Sequence, residues 1–165
     1  MKGFLEVDFI FALAIFLVFF VFISIAVSGN FGNYKSAVYE DVFESKVRSV
    51  SNFLIFSPGQ PENWSSNYSN VSEIGFSYFY NNRSYPNLID IKKINAAKNM
   101  SYANLTSLMG VKDFKIVLYD LDYNTNYTLG GDSMRKKTTS VDRFVAIRNS
   151  FWNISRGKFT VTVWD

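Results

Sequence analysis

The most pronounced hydropathy feature of the chain is a run with almost no polar interruption. Residues 9–27, FIFALAIFLVFFVFISIAV, carry Ser24 as the single polar side chain in 19 positions. About 20 apolar residues take an α-helix across the hydrocarbon of a bilayer, so a transmembrane helix is predicted over residues 4–28. The stretch Ser28-Gly29-Asn30-Phe31-Gly32-Asn33 then breaks the pattern with two glycines. Each glycine disfavours helix by about 1 kcal/mol, so a hinge or melted segment is expected there; the alternative is that Asn33 caps a new helix. Farther on, Tyr39, Phe43, Val47, Val50 and Leu54 recur at spacings of four, four, three and four, the stripe of an amphipathic helix. That helix is expected over residues 33–57, because Pro58 disfavours helical geometry in the residue before it and Pro58-Gly59-Gln60-Pro61 is a turn signal.

Beyond Trp64 the pattern shortens. Residues 74–80, 114–121, 144–147 and 158–164 suit strands, and residues 91–98 and 102–109 suit two short helices. In Phe159-Thr160-Val161-Thr162-Val163 apolar and polar residues alternate, as on an antiparallel strand with one buried face. The fold expected is α+β: a long N-terminal transmembrane helix, an amphipathic helix, and a small antiparallel β-sheet domain over residues 58–165.

Composition narrows the chemistry. The chain has no cysteine and no histidine, which excludes disulfides, thiolate metal sites, a Cys nucleophile and any imidazole base or ligand. No enzyme, metal site or cofactor is expected. A net charge of +3 is too small and too scattered to imply a nucleic-acid partner. Ahead of the apolar run, Lys2 is followed by Glu6 and Asp8, whereas a secretory signal has a more basic start and a shorter apolar core. The alternative of a cleaved signal rests on Ala26-Val27-Ser28 before Gly29, a small-x-small pattern. With one base before the helix, orientation by positive charge is weakly specified; the N-terminus is placed inside and the β-rich domain outside.

The stretch Lys2-Gly3-Phe4-Leu5-Glu6-Val7-Asp8-Phe9, leading straight into the apolar helix, resembles the class III signal of type IV pilins and archaeal pilin-like proteins. That resemblance implies a leader of residues 1–3, cut by a prepilin peptidase after Gly3 behind Lys2, with Phe4 as the mature N-terminus. Archaeal members more often have Gln at that place. It further implies that Asp8, with Glu6 second, pairs with the new α-amine of a neighbouring subunit during self-assembly into a filament. A buried charge without a partner is strongly unfavourable in hydrocarbon, so such a pair would fix axial register between helices. The segment Ser57-Pro58-Gly59-Gln60-Pro61-Glu62-Asn63-Trp64 also resembles one in archaeal pilin-like proteins, with Trp64 anchoring the turn.

Sequons of the form Asn-x-Ser/Thr begin at Asn63, Asn67, Asn70, Asn82, Asn99, Asn104, Asn126 and Asn153. Their density points to N-linked glycans on a cell-surface domain. Asp120-x-Asp122-x-Asn124-x-Asn126 begins like a calcium loop but lacks the central glycine and places Gly131 where the bidentate Glu belongs, so a polar turn is expected instead. Residues 130–137 put three bases beside a glycine turn, read as a solvated hairpin tip. Tyr78, Phe79, Tyr80 and Tyr85 are read as core plus an amphipathic outer face rather than a carbohydrate platform. Three functions compete: a pilin-like structural subunit, a monomeric membrane-tethered adhesion domain, and an envelope hydrolase using Asp120 and Asp122.

Overall fold

The computed structural model describes residues 2–131, 138–149 and 153–164, and for residues 2–6 and 30–33 the backbone alone. The chain divides into two compact units, Met1–Val42 and Phe43–Asp165, the division falling within the first helix.

Helix α1 covers Lys2–Phe56. The hinge expected at residues 28–33 is therefore corrected: the backbone is helical through both glycines, and residue 33 lies within α1 and not at the start of a new helix. A glycine penalty of about 1 kcal/mol lowers helix stability without forbidding the geometry, and strong helical pattern lies on both sides. Residues 7–29 are exposed at every position, and the 18-residue window of highest mean hydropathy, 3.2, has no buried share. This helix is long and apolar enough to cross a membrane.

In the second unit, α1 buries the expected stripe. Phe43, Val47 and Leu54 are buried, Val50 is half-buried, and Ser51 and Ile55 join them on the inner side. Tyr39, at the start of the stripe, stays 50% exposed. After α1 come β1 (Gly59–Gln60), β2 (Glu73–Ile74), β3 (Ser77–Tyr80) and β4 (Arg83–Asp90). Helices α2 (Ile91–Lys98) and α3 (Tyr102–Met109) follow, and then β5 (Asp113–Asp120), β6 (Thr125–Gly130), β7 (Thr138–Arg148) and β8 (Ile154–Trp164). Both short helices fall on the predicted residues. Asp90 caps α2 by accepting from the Lys92 amide at 3.0 Å, and Ser101 caps α3 by accepting from Asn104 at 3.3 Å.

Strands β1 and β2 pair by themselves, and the other six form one sheet in the order β3-β4-β7-β8-β5-β6. The α+β class stands and the sheet is mostly antiparallel; β4 and β7, however, run parallel. The connection between that pair passes through α2, α3, β5 and β6, long enough for a crossover. Strands β7 and β8 are far longer than the predicted cores of residues 144–147 and 158–164, and the run at residues 74–80 splits into β2 and β3. In β5 burial alternates strictly, with Phe114, Ile116, Leu118 and Asp120 inward. Phe159, Val161 and Val163 of β8 face the same core, which also takes Ile94 and Ala97 of α2 and Leu105 and Met109 of α3.

Candidate functional site

On α1 the apolar segment surrounds the helix completely. By length and composition such a helix is able to cross a membrane, and none of its faces is buried within the chain. The Ser24 hydroxyl donates to the Phe20 carbonyl at 2.8 Å, so the segment's single polar side chain is satisfied within its own helix. Phe16 and Phe20 stack with ring centroids 6.2 Å apart. At 100° per residue, Asp8 shares its face with Ala12, Ile15, Phe19 and Ala26. That face carries two of the segment's small side chains, which let helix backbones approach closely. Asp8 is exposed. Lys2, Gly3, Phe4 and Glu6 lie on helical backbone, with their side chains outside the described residues. On the helical backbone, position 6 is two residues from Asp8 and falls on a different face.

The second candidate is the loop after α1. Trp64 is fully buried, and its Nε1 donates to the Pro58 carbonyl at 3.1 Å and the Gly75 carbonyl at 3.0 Å. The Trp thus anchors the turn. Gly59 has φ +81°, and a Cβ there would lie 2.6 Å from the Glu73 carbonyl oxygen; at Gly75 it would lie 2.3 Å from that of Ser57. Both glycines are required by close backbone approach. The Gln60–Pro61 peptide is cis.

Sequence reasoning missed Lys93. It sits on α2 between Ile91 and Ile94, is 2% exposed, and its Nζ donates to the carbonyls of Pro58 and Ser77, the latter at 2.9 Å. Burial pushes its ammonium down to about 8, against the opposing pull of Asp90 and Glu62. The Pro58 carbonyl thereby takes donors from both Trp64 and Lys93, tying α2 to the loop. A lysine next to a second lysine at a helix start reads as surface, so only the tertiary arrangement identifies it.

All eight sequon asparagines are exposed. Asn81, Asn87, Asn95 and Asn124 are exposed as well, so exposure permits modification without singling the sequons out. The structure does not gather them: Asn63, Asn67 and Asn70 lie along the Trp64 loop, Asn82 in the β3–β4 turn, and Asn99 and Asn104 by α2 and α3. Asn126 is on the edge strand β6, and Asn153 immediately precedes β8.

The carboxylates at the end of β5 are committed to the turn. Asp120 is 1% exposed; its Oδ1 accepts from the amides of Asp122 and Tyr123 at 3.0 and 3.1 Å, and its Oδ2 from the Ser155 hydroxyl at 2.6 Å. Asp122 turns instead to Arg156, accepting from its amide at 2.8 Å and its guanidinium at 2.6 and 3.0 Å. Those hydrogen bonds hold the Asp122 carboxyl below the usual carboxylate range. Neither the calcium loop nor a paired-carboxylate hydrolase finds its arrangement here, and no group of three metal-ligating acids occurs among the described residues. Residues 132–137, which carry the basic turn, lie outside the described residues. Tyr78 is buried beneath the Arg148 guanidinium, 3.8 Å from its ring centroid, while Tyr80 and Tyr85 flank it and are 47% and 41% exposed.

No family model, curated protein or solved structure matches this chain. Its function must be argued from its own residues.

Proposed function

We propose that the chain is a pilin-like structural subunit, held by α1 in a membrane before assembly and packing through α1 with other copies in a surface filament, with glycans on its outward β-rich unit. The observation that carries this reading is the wholly exposed apolar segment of residues 9–27, preceded by Asp8 and, with four residues between, by Lys2-Gly3. A plain anchor needs apolar length alone. The acid at the start of the apolar helix, on the face that carries Ala12 and Ala26, suits a helix that meets other helices as well as lipid. Cleavage after Gly3 would create an α-amine, and in hydrocarbon an amine and a carboxylate on neighbouring chains stabilise each other only as a pair. The role is assembly, with no catalytic step.

The test is mass spectrometry of the mature N-terminus, on protein taken from its native membrane or surface fraction. A chain beginning at Phe4 supports prepilin-type processing, and Gly3→Val should then leave the full-length precursor. A chain beginning at Met1, monomeric in mild detergent, supports the alternative of a membrane-tethered adhesion domain. One beginning at Gly29 means a secreted domain, and either of the last two results ends the role given to Asp8.

A further inference from the structure

The hydroxyl residue of a sequon is half of its acceptor signal, since Asn and Ser/Thr are read together from accessible chain. In seven of the eight sequons that residue is exposed or half-exposed, as with Ser69 and Ser72 in the Trp64 loop. Asn153-Ile154-Ser155 differs. Asn153 and Ile154 are exposed, but Ser155 is 3% exposed and its hydroxyl donates to the buried Asp120 carboxylate at 2.6 Å.

Ser155 belongs to β8, an inner strand of the sheet. It lies opposite Ile147 of β7, and two residues on, Gly157 lies opposite Asp120 of β5. Arg156 is held in turn by three hydrogen bonds to Asp122. To present Ser155 beside Asn153, residues 154–156 must leave β7, and Asp120 must lose a charge-assisted bond while still buried. Such an opening is a local unfolding of the sheet rather than a loop fluctuation.

We infer that folding closes the Asn153 acceptor, so that a saccharide is attached there only before β8 joins the sheet. The inference rests on reading the chain as glycosylated and adds to it an order of events. The donor is a lipid-phosphate-linked saccharide. Asn153 Nδ2 gives one proton to a base of the transferase and bonds to the anomeric carbon, while the bond from that carbon to the phosphate oxygen breaks and the phosphate leaves on its lipid. Once formed, the N-glycosidic bond sits on an exposed residue and is compatible with the closed sheet. Occupancy at Asn153 therefore records whether modification preceded folding.

The full chain is translated in two ways. In one, membranes carrying the transferase and its lipid-linked donor are present from the start; in the other they are added after the chain has folded in mild detergent. Site occupancy is read by peptide mass spectrometry, with Asn67 and Asn70 as internal references. Expected are occupied Asn153 in the early reaction and, in the late one, occupied Asn67 and Asn70 with Asn153 at least tenfold lower. Late modification of Asn153 within twofold of Asn67 overturns the inference. So does an Asn153 empty in both reactions while Asn67 is occupied, since folding is then not what closes it. No occupancy anywhere in either reaction removes the glycan reading itself, and this inference with it.

Discussion

Two stretches of one helix live under opposite rules. Residues 9–27 of α1 are apolar around the whole helix and exposed at every position, whereas residues 43–55 bury a single stripe, Phe43, Val47, Leu54 and Ile55. In the second stretch the hydrophobic effect is satisfied within the chain, against the sheet and its two short helices. In the first, residues 7–29 stay exposed and contribute nothing to that core. The difference teaches where this protein's stability and its associations reside: the β-rich unit has a complete core of its own, and the apolar segment has none.

The largest expected effect comes from charging the exposed stretch. Leu17→Arg together with Val18→Arg places two guanidinium groups at mid-segment, where each opposes membrane insertion by about 3 kcal/mol. The double variant should leave the carbonate-resistant membrane pellet, while the denaturant midpoint of the β-rich unit stays at the wild-type value. Retention in the pellet would mean that the apolar segment is not what holds the chain to membranes.

The pattern along the chain was enough to place this contrast, because both stretches have simple periodicities: an unbroken apolar run, and a four-four-three-four stripe. Helices α2 and α3 were legible for a similar reason, since each begins at a capping side chain, Asp90 or Ser101. Strand β4 was not. It contains Pro86 and Asn87, the latter at φ +61°, and its pairing with β3 shifts register at Ser77/Tyr78, so alternation is lost where the strand is irregular. Strand β6 was hidden behind the oxygen-rich residues of the β5–β6 turn, which imitate a metal loop. The apolar segment could be found from residue order. The Lys93 bonds and the closed Ser155 could not, because each depends on partners 16 to 35 residues away.

Within the β-rich unit the anchoring indole sets the next effect. Trp64→Ala removes a fully buried ring and leaves the Pro58 and Gly75 carbonyls short of a donor, a loss of about 3–5 kcal/mol. Trp64→Phe keeps most of the ring volume and should cost about 1–2 kcal/mol. Guanidinium unfolding followed by far-ultraviolet circular dichroism measures both; a Trp64→Ala midpoint near wild type would show that the loop is held by other contacts. Membrane retention should be unaffected by either change.

Lys93 gives a smaller effect with a definite sign. Its folded pKa, about 8, lies below the ordinary value of 10.5, so between those pH values the unfolded chain binds a proton that the folded chain has released. Stability therefore rises with pH across that window, by about 1–3 kcal/mol from this group, and is flat in it below pH 8. Lysines and tyrosines elsewhere titrate near the top of the same range, so the informative quantity is the difference from Lys93→Met, in which this contribution should vanish. An identical pH profile in the variant would show that Lys93 titrates normally and that its burial is relieved by opening of the loop.

The smallest effect compares two serines on α1, one in each stretch. Ser24 donates to the carbonyl four residues back, at 2.8 Å, and lies in the exposed apolar segment. Ser51 is fully buried, and its hydroxyl has no hydrogen-bond partner among the described residues. A buried hydroxyl without a partner carries a desolvation cost of about 1–3 kcal/mol, and alanine is the better helix former. Against that, removing one oxygen leaves a small void, which returns part of the gain. Ser51→Ala should thus raise the unfolding free energy by about 1 kcal/mol, whereas Ser24→Ala should change neither the unfolding midpoint nor membrane retention. A destabilised Ser51→Ala would mean that the hydroxyl is in use, and the core beneath α1 would have to contain a polar partner for it.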